Sequence, residues 1–278
     1  MKVVTYDAGT GPRVGRLDDG QVLDVGFDGD MVAFIEAGAP LRDERPVETA
    51  RLLAPLRPRT MRDYLSFRGH MENALGRLGL PIPEEWFEIP SYYKGMPDTV
   101  IGPNAEIPWP RYTDKLDHEL ELAAIVGKPG RDIPPERALE HVFGWTIWND
   151  LSARDVQARE LKIGLGPAKG KDWDGSNVLG PCIVTADELD ASDLRMSVRV
   201  NGETWGEDTT ANMHHSFADL IAYASLAQML YPGELLGSGT AAGGSGLELD
   251  RWLQPGDEVE LEIEGIGILR NRIGTKGA

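Results

Sequence analysis

Three acidic side chains in the middle of the chain have the types and spacing of a metal site. Glu119 and Glu121 are separated by one residue in an apolar run, and Asp150 ends a second apolar run. The alternation predicts a β-strand, in which residues i and i+2 point to one face. Burying two carboxylates side by side is costly unless a cation lies between them. Three carboxylates on neighbouring strands therefore predict an all-oxygen site for Mg²⁺, Mn²⁺ or Ca²⁺. The simpler alternative is that both glutamates lie on the solvated face of an amphipathic strand.

A cation and an amide follow the third carboxylate directly. Residues 151–160, LSARDVQARE, predict a helix that begins at a capping box formed by Ser152 and Asp155. Arg154 and Gln157 are three residues apart and would share one face of its first turns. Arginine in a first turn is unfavourable against the helix dipole, which favours a functional position for Arg154. We therefore expect both side chains to point towards the carboxylates.

One histidine is a candidate base. Residues 63–80 predict a helix with Ser66 as its N-cap and Gly79 as its C-terminal stop. Its apolar stripe, at helical spacing, consists of Phe67, Met71, Ala74 and Leu78. His70 lies beside that stripe, where a histidine is by default a structural residue with satisfied nitrogens. It becomes a base only if a carboxylate site lies nearby.

Three segments rich in glycine or proline are predicted to be loops. Residues 81–111 hold seven prolines, and Tyr93 in their middle either lines a pocket or is a surface aromatic. Residues 161–181 form a second loop, which carries Lys171. Residues 233–246 form a third, and the sequence predicts no helix after it. Its glycines would let the backbone pass close to a ligand.

Composition and charge exclude several classes of protein. The chain has 278 residues, of which 41% are hydrophobic and 26% charged, as in an ordinary globular protein. A formal net charge of −17 argues against nucleic acid or an anionic membrane as a partner. The single cysteine, Cys182, excludes an internal disulfide and a cysteine-based metal site. No stretch resembles a signal or a membrane span, so we expect a cytoplasmic protein.

The chain divides into two predicted domains. Residues 1–60 predict a small N-terminal β-rich domain, in which strands near residues 3–6 and 22–25 are separated by a turn at residues 18–20. Residues 61–278 form the main domain. The first domain shows no evident chemistry, so all candidate site residues belong to the second.

Seven motifs resemble the fumarylacetoacetate hydrolase family. They extend in family order from residue 63 to about residue 250, and they read DYLSFRGH, YKG, LDHELELAAIVGKPGRD, NDLSARDVQ, GKDWD, GSGT and GLEL. The resemblance implies an α+β, mostly β protein with a mixed β-roll catalytic domain of the fumarylacetoacetase C-terminal type. It also implies a homodimer. The chain departs from the family pattern at Leu151, where a tryptophan is usual, and this affects the shape of the pocket.

The resemblance also assigns roles to individual residues. The metal ligands it implies are Glu119, Glu121, Asp150 and, in the fumarylacetoacetase branch, Asp63. The catalytic residues it implies are His70 with its partner Glu248, and the oxyanion donors Arg154, Gln157 and Lys171. The residues that contact substrate in relatives correspond to Tyr93 and Thr240.

The activity that the resemblance implies is hydrolysis of a carbon–carbon bond in a small anionic 2,4-dioxo acid. Such acids are of the acylpyruvate, fumarylpyruvate or fumarylacetoacetate type, and the reaction belongs to the catabolism of aromatic compounds or amino acids. His70 would take a proton from the attacking water. Relatives also decarboxylate, isomerise or hydrate 2-oxo acids, so this alternative stays open. A non-catalytic protein that binds a divalent ion or a small acid is a third possibility.

Overall fold

The protein has a mostly β fold of the α+β class, as the sequence predicts. The computed structural model describes residues 1–77 and 79–277. Leu78, the last residue of the predicted apolar stripe, lies outside the described residues. Within the described parts of the chain, no helix is both long and apolar enough to cross a membrane.

The strands and helices are short and are distributed along the whole chain. The strands are β1 (Lys2–Asp7), β2 (Pro12–Asp18), β3 (Gln21–Asp24), β4 (Arg45–Pro46), β5 (Arg51–Leu52), β6 (Met61–Tyr64), β7 (Tyr92–Gly95), β8 (Val100–Ile101), β9 (Glu106–Trp109), β10 (Leu116–Asp117), β11 (Leu120–Val126), β12 (Val142–Asp150), β13 (Ser152–Ala153), β14 (Asn177–Thr185), β15 (Arg195–Val200), β16 (Glu203–Thr209), β17 (Leu235–Gly237), β18 (Glu258–Ile263) and β19 (Gly267–Lys276). The α-helices are α1 (Met31–Glu36), α2 (Arg68–Gly76), α3 (Pro135–Ala138), α4 (Arg154–Glu160), α5 (Phe217–Ser225) and α6 (Gly246–Leu249).

Three sheets organise these strands. The largest has the order β4-β3-β2-β1-β14-β12-β11-β17-β6-β7, with β5 paired to β1 and β8 paired to β14. A five-stranded sheet has the order β16-β15-β18-β19-β9, and β10 pairs with β13 alone. The large sheet is mixed, because β17 runs parallel to β6 but antiparallel to β11. This order places β12, β11, β17 and β6 side by side in the large sheet.

Strand β11 is buried on both faces, which explains its nearly continuous apolar sequence. Leu120 and Leu122 belong to one hydrophobic cluster, whereas Ala123 and Ile125 belong to another on the opposite face. Glu119 and Glu121 alternate in step with Ala123 and Ile125 and so point to the same face of the strand. The glutamates therefore lie on a buried face of the strand, and the solvated amphipathic strand is excluded.

The first sixty residues pack against the rest of the chain. Strand β1 continues the large sheet, because Lys2 pairs with Val184 of β14. Helix α1 begins at the N-cap Asp30, whose side chain accepts a hydrogen bond from the amide of Ala33. Its buried side chains join the same cluster as Ala123 of β11. The division into domains at residue 60 stays a prediction.

The structure corrects three predicted loops. Residues 81–111 contain β7, β8 and β9; residues 161–181 contain the start of β14; and residues 233–246 contain β17. Helix α6 follows the third segment, so the prediction that no helix follows it is wrong. These elements are short, and most of them pair with strands distant in sequence. Glycine and proline content therefore predicts loops here, because a local pattern does not reveal long-range strand pairing.

Candidate metal and catalytic site

Four carboxylates from three strands meet inside the large sheet. Asp63, Glu119, Glu121 and Asp150 each offer one oxygen, and these four oxygens lie within 4.8 Å of one another. All four residues are buried. Asp63 lies in β6, Asp150 ends β12, Glu121 lies in β11, and Glu119 directly precedes β11. The strand alternation identified three members of this cluster, and the fourth was supplied by the resemblance.

A glycine makes room for the cluster. Strand β17 separates β11 from β6, and its Gly237 pairs with Ala123 on one side and Asp63 on the other. A Cβ atom on Gly237 would lie 2.6 Å from Oε2 of Glu121 and 2.6 Å from the ring of Trp148. Any side chain at this position would therefore occupy the space through which Asp63 and Glu121 approach each other.

Four oxygen atoms of the cluster are buried without a hydrogen-bond partner among the described residues. They are Oδ1 of Asp63, Oδ1 of Asp150 and both carboxylate oxygens of Glu121. Burial, together with the charge of Asp150, raises the pKa of Asp63 well above its ordinary value. Burial and the charges of Asp63 and Asp150 likewise raise the pKa of Glu121. Orphaned, buried carboxylate oxygens of this kind fit a hard divalent cation, which prefers oxygen ligands.

Two cations of the protein compensate part of the negative charge. Lys171 donates from Nζ to Oε2 of Glu119, at 2.5 Å, and also to Oδ2 of Asp150. Arg154 donates from Nη2 to Oε1 of Glu119, at 2.6 Å. Burial would raise the pKa of Glu119, but the positive charges of Lys171 and Arg154 outweigh it and hold that pKa below its ordinary value. A divalent ion bound to all four carboxylates would add two positive charges to those that Lys171 and Arg154 supply.

Arg154 is fixed by three acceptors. Its Nε donates to Oδ2 of Asp117 at 2.7 Å, and its Nη1 donates to Oε1 of Gln157 at 2.9 Å; Nη2 is bound to Glu119. Helix α4 begins at Arg154 with Ala153 as its N-cap and no side-chain cap, so the predicted capping box is wrong. The reason is that Ser152 lies in β13, paired with Asp117 of β10. Arg154 and Gln157 share one face, as predicted.

His70 and Glu248 form a buried pair. The Nδ1 atom of His70 lies 3.1 Å from Oε2 of Glu248, with side chains only 7% and 1% exposed. This contact is short but is not a well-formed hydrogen bond, because Nδ1 of His70 has no hydrogen-bond partner among the described residues. Helix α2 carries His70, but its N-cap is Phe67 rather than the predicted Ser66. The amide of Ser66 donates to the carbonyl of Ser238, which draws this residue into the sheet edge instead.

Glu248 is held by several donors. Its Oε1 accepts from Nδ2 of Asn73 and from the amide of Gly243, each at 2.9 Å. Its Oε2 accepts from the amide of Ser245 at 3.2 Å, which is part of a capping box at the start of α6, and from the hydroxyl of Ser245 at 2.9 Å. Burial would raise the pKa of Glu248, but the adjacent His70, together with hydrogen bonds from Asn73 and from the backbone, holds that pKa below its ordinary value. The carboxylate is therefore held in one orientation towards His70.

The two predicted substrate contacts differ in their relation to the cluster. Tyr93, in β7, donates from its hydroxyl to Oδ2 of Asp150 at 2.6 Å. Burial and the charge of Asp150 raise the pKa of Tyr93 well above its ordinary value. Thr240 is buried in the segment after β17. Across residues 1–77 and 79–277, its hydroxyl makes no hydrogen bond to another predicted site residue.

Sequence reasoning missed three polar residues that hold the site. Asp117 binds Arg154, whereas Asn73 and Ser245 bind Glu248. Asp117 had a signal, because the spacing Asp-x-Glu-x-Glu places it on the same strand parity as Glu119 and Glu121. Asn73 lies three residues after His70 on α2, a spacing that places both side chains on one helical face. Ser245 precedes Glu248 by three residues, the spacing of a capping box.

Comparison with known proteins defines the class to which this fold and site belong. Residues 59–274 match the family model for the fumarylacetoacetate hydrolase C-terminal domain. The chain therefore belongs to the fumarylacetoacetate hydrolase family.

Particular relatives within the family have different activities. A solved structure of fumarylacetoacetate hydrolase from Exiguobacterium antarcticum is similar, with a TM-score of 0.84, 30% identity and 99% of each chain covered. A human mitochondrial oxaloacetate tautomerase is 36% identical over 196 residues, which span 70% of this chain and 60% of the human protein. The structure of a 5-carboxymethyl-2-hydroxymuconate delta-isomerase from Mycobacterium smegmatis is also similar, with a TM-score of 0.78, 27% identity and full coverage of both chains. The family is therefore established, and the reaction must be argued from the site.

Proposed function

We propose that this protein is a divalent-metal-dependent hydrolase that cleaves a carbon–carbon bond of a small 2,4-dioxo acid. The acid would be of the acylpyruvate, fumarylpyruvate or fumarylacetoacetate type. The observation that carries the proposal is that the buried His70–Glu248 pair lies beside the four-carboxylate cluster, because Glu119 forms a β-bridge with Ser245, whose hydroxyl binds Glu248. A base, a cation site and oxyanion donors are the groups that hydrolysis of a ketone requires together.

The cluster would hold the metal through Glu119, Glu121, Asp150 and Asp63. Its ligands are all carboxylates, which favours Mg²⁺ and also suits Mn²⁺ or Ca²⁺. When bound, a divalent ion would supply Lewis acidity and stabilise negative charge on substrate oxygens.

The residues around the cluster would carry the proton transfers. Nδ1 of His70 faces Glu248, so Nε2 is the nitrogen left to take a proton from water. Glu248 would hold the ring in one orientation and stabilise the imidazolium that forms. The hydroxide adds to the distal carbonyl of the substrate. When the carbon–carbon bond breaks, one fragment leaves as a carboxylic acid and the other, after protonation of its enolate carbon, as a 2-oxo acid, or as a 3-oxo acid if the substrate is fumarylacetoacetate.

The oxyanion that forms during addition would be stabilised by donors already in place. Arg154 and Lys171 are buried and are both positive at neutral pH, because their carboxylate partners outweigh the burial that would lower the pKa of each group. Gln157 lies next to Arg154 through a hydrogen bond of 2.9 Å. One well-placed donor of this kind contributes about 2.7–4 kcal/mol to lowering a barrier.

A second candidate function is tautomerisation of oxaloacetate. It is favoured by the similarity to the human tautomerase. Tautomerisation needs enolate stabilisation and a group that moves a proton between carbon and oxygen, and His70 would do this without an attacking water. Decarboxylation, the other alternative on this scaffold, needs the enolate but no base.

The products distinguish these reactions. Purified protein would be assayed with acylpyruvates, fumarylpyruvate, fumarylacetoacetate and oxaloacetate, with magnesium or manganese and with a chelator. Hydrolysis yields two acid fragments, decarboxylation yields carbon dioxide, and tautomerisation changes enol absorbance without changing mass. We expect metal-dependent formation of two fragments from a dioxo acid. Metal-dependent loss of the oxaloacetate enol signal, with no fragments from any dioxo acid, would replace hydrolysis with the second candidate.

We further propose that the protein acts as a cytoplasmic homodimer. Sedimentation velocity of the purified chain tests the dimer, because a single species of the monomer mass of 30.4 kDa would contradict it.

A further inference from the structure

Asp117 is a buried carboxylate that the proposed reaction does not use. Its side chain is wholly buried and accepts four hydrogen bonds. Oδ2 accepts from Nε of Arg154 at 2.7 Å and from the amide of Leu247 at 3.1 Å. Oδ1 accepts from the amides of Gly246 and His118, at 2.8 and 2.9 Å. Because each oxygen has two donors, the orientation of this carboxylate is fully determined.

One side of Asp117 faces the carboxylate cluster. Arg154 binds Asp117 through Nε and Glu119 through Nη2, so its guanidinium lies between the two carboxylates. The fork geometry of arginine makes the two contacts interdependent. A shift of Asp117 would therefore rotate the guanidinium relative to Glu119 and the substrate side of the cluster.

The other side of Asp117 faces the His70–Glu248 pair. Gly246 and Leu247 are the first two residues of α6, and amides at a helix start have no partner within the helix. Asp117 accepts from both of these amides, and Glu248 is the next residue. A Cβ atom on Gly246 would lie 2.7 Å from Oδ1 of Asp117 and 2.1 Å from the carbonyl of Arg251. The close approach therefore depends on glycine at this position.

We propose that Asp117 is a positioning residue that sets the distance between the oxyanion donor Arg154 and the His70–Glu248 pair. This inference rests on the proposed function, because it assigns Asp117 a part in that reaction. The same carboxylate connects β10, α4 and α6, which are far apart in sequence. It touches none of the four cluster carboxylates through a hydrogen bond among the described residues, so its effect on the reaction is transmitted through Arg154 and Glu248.

Two variants separate the contacts of Asp117. In Asp117→Asn, an amide oxygen at the position of Oδ1 still accepts from the amides of Gly246 and His118, whereas the charge and the acceptor that Arg154 shares with the amide of Leu247 are lost. In Asp117→Ala, both contacts are lost. The matched control is Asp24→Asn, which removes a carboxylate that binds Nε of Arg13 at 2.6 Å and a backbone amide at 2.7 Å, in the N-terminal strands.

We expect Asp117→Asn to lower kcat by about 10–100-fold, the usual range for a partner that orients a ligand or donor. The KM would change by less than about twofold, because ground-state binding is retained. The Asp24→Asn control would keep the wild-type kcat and KM while losing about as much thermal stability as Asp117→Asn. In a double-mutant cycle with Glu248→Gln, the two losses would be strongly non-additive, since both act through the same pair.

Several results would overturn the proposal. An Asp117→Asn enzyme with wild-type kcat would do so, and so would additive losses in the cycle or a rate loss matched by the control. If the wild-type protein turns over no acid in the panel, the proposed function fails, and Asp117 is then tested without turnover. Amide hydrogen exchange at Gly246 and Leu247 should accelerate in Asp117→Ala, and binding of magnesium with oxalate should weaken at least about tenfold. Unchanged exchange and affinity would remove any positioning role.

Discussion

Replacing Glu121 by glutamine should stabilise the metal-free protein and abolish its response to a divalent ion. Both oxygens of Glu121 are buried without a partner among the described residues, and burial with the charges of Asp63 and Asp150 raises its pKa. Without metal, this carboxylate adds repulsion to a cluster that already carries excess negative charge. With metal, the same oxygens are ligands. One substitution should therefore have opposite effects in the two states.

The magnitude follows from these two roles. A buried unsatisfied group costs about 1–3 kcal/mol, so Glu121→Gln should raise the free energy of unfolding in chelator by about that amount. A divalent ion at 100 times its Kd stabilises a folded protein by about 2.7 kcal/mol. Domains of 150–250 residues shift in Tm by about 2–4 °C per kcal/mol. The variant should then melt about 2–12 °C above wild type in chelator, and wild type should gain about 5–11 °C on adding metal.

The difference in stability between the Glu121→Gln variant and wild type, measured in chelator, should depend on pH. A carboxyl group with a raised pKa in the folded state contributes stability below its unfolded pKa and loses it as pH rises through the folded value. Because the pKa of Glu121 is raised, the metal-free wild type should lose stability as pH increases. The glutamine variant has no such titration at this position, so its advantage should grow with pH and shrink in acid.

Thermal unfolding followed by circular dichroism, in chelator and in magnesium or manganese, measures all of these quantities. Glu119→Gln is the matched control, because Glu119 is already bound by Arg154 and Lys171. Removing this partner should destabilise the metal-free protein, since it leaves buried cations uncompensated. A Glu121→Gln protein that melts below wild type in chelator and still gains stability with metal would refute the assignment of Glu121 as a ligand.

Three further changes test other parts of the structure. His70→Ala should lower kcat by roughly 10²–10⁴-fold on the best substrate while the metal-induced Tm shift stays, and full turnover would remove it as the base. Gly237→Ala should weaken metal binding at least about tenfold in calorimetry, because the added methyl group would meet Glu121, and unchanged affinity would show that the space is not needed. Hydrogen bonding from Arg13 lowers the pKa of Asp24 to about 2. The stability that this ion pair contributes is therefore present above the unfolded pKa of Asp24 and is lost as pH falls through about 2. Asp24→Asn should therefore destabilise the protein by about 1 kcal/mol at pH 7 in urea titrations, a value reduced for partial exposure, and by almost nothing near pH 2.

The parts of the site that the sequence predicts are those encoded within one strand. Alternation alone places Glu119 and Glu121 on one face, and the length of the apolar run places Asp150 at the end of its strand. The burial of that face lies beyond this reasoning, because side chains of helix α1, more than eighty residues away in the sequence, join the same hydrophobic cluster. Pairing in sheets is long-range, so local periodicity carries no information about it.

The errors have the same origin. The sequence predicts Ser152 as a helix cap, but Ser152 pairs with Asp117 across more than thirty residues, and the helix starts two residues later. Helix α6 has only four residues, too few for a periodic pattern, so its start was visible only as the Ser245–Glu248 spacing. Asp63 and Glu248 entered through the resemblance to a family rather than through the chain's own pattern. Their roles stay predictions, although the structure brings both residues to the site.

The bare backbone of Gly237 has a consequence for how such centres are recognised in other sequences. Adjacent strands lie about 4.8 Å apart, so Asp63 and Glu121 belong to strands separated by about twice that distance. They meet because the strand between them contributes no side chain at that level. Position 237 must therefore stay free of a side chain for as long as Asp63 and Glu121 are both present, even though glycine itself offers no side-chain atom to bind a metal. Searches for related centres should therefore treat an empty position on the intervening strand as part of the signature.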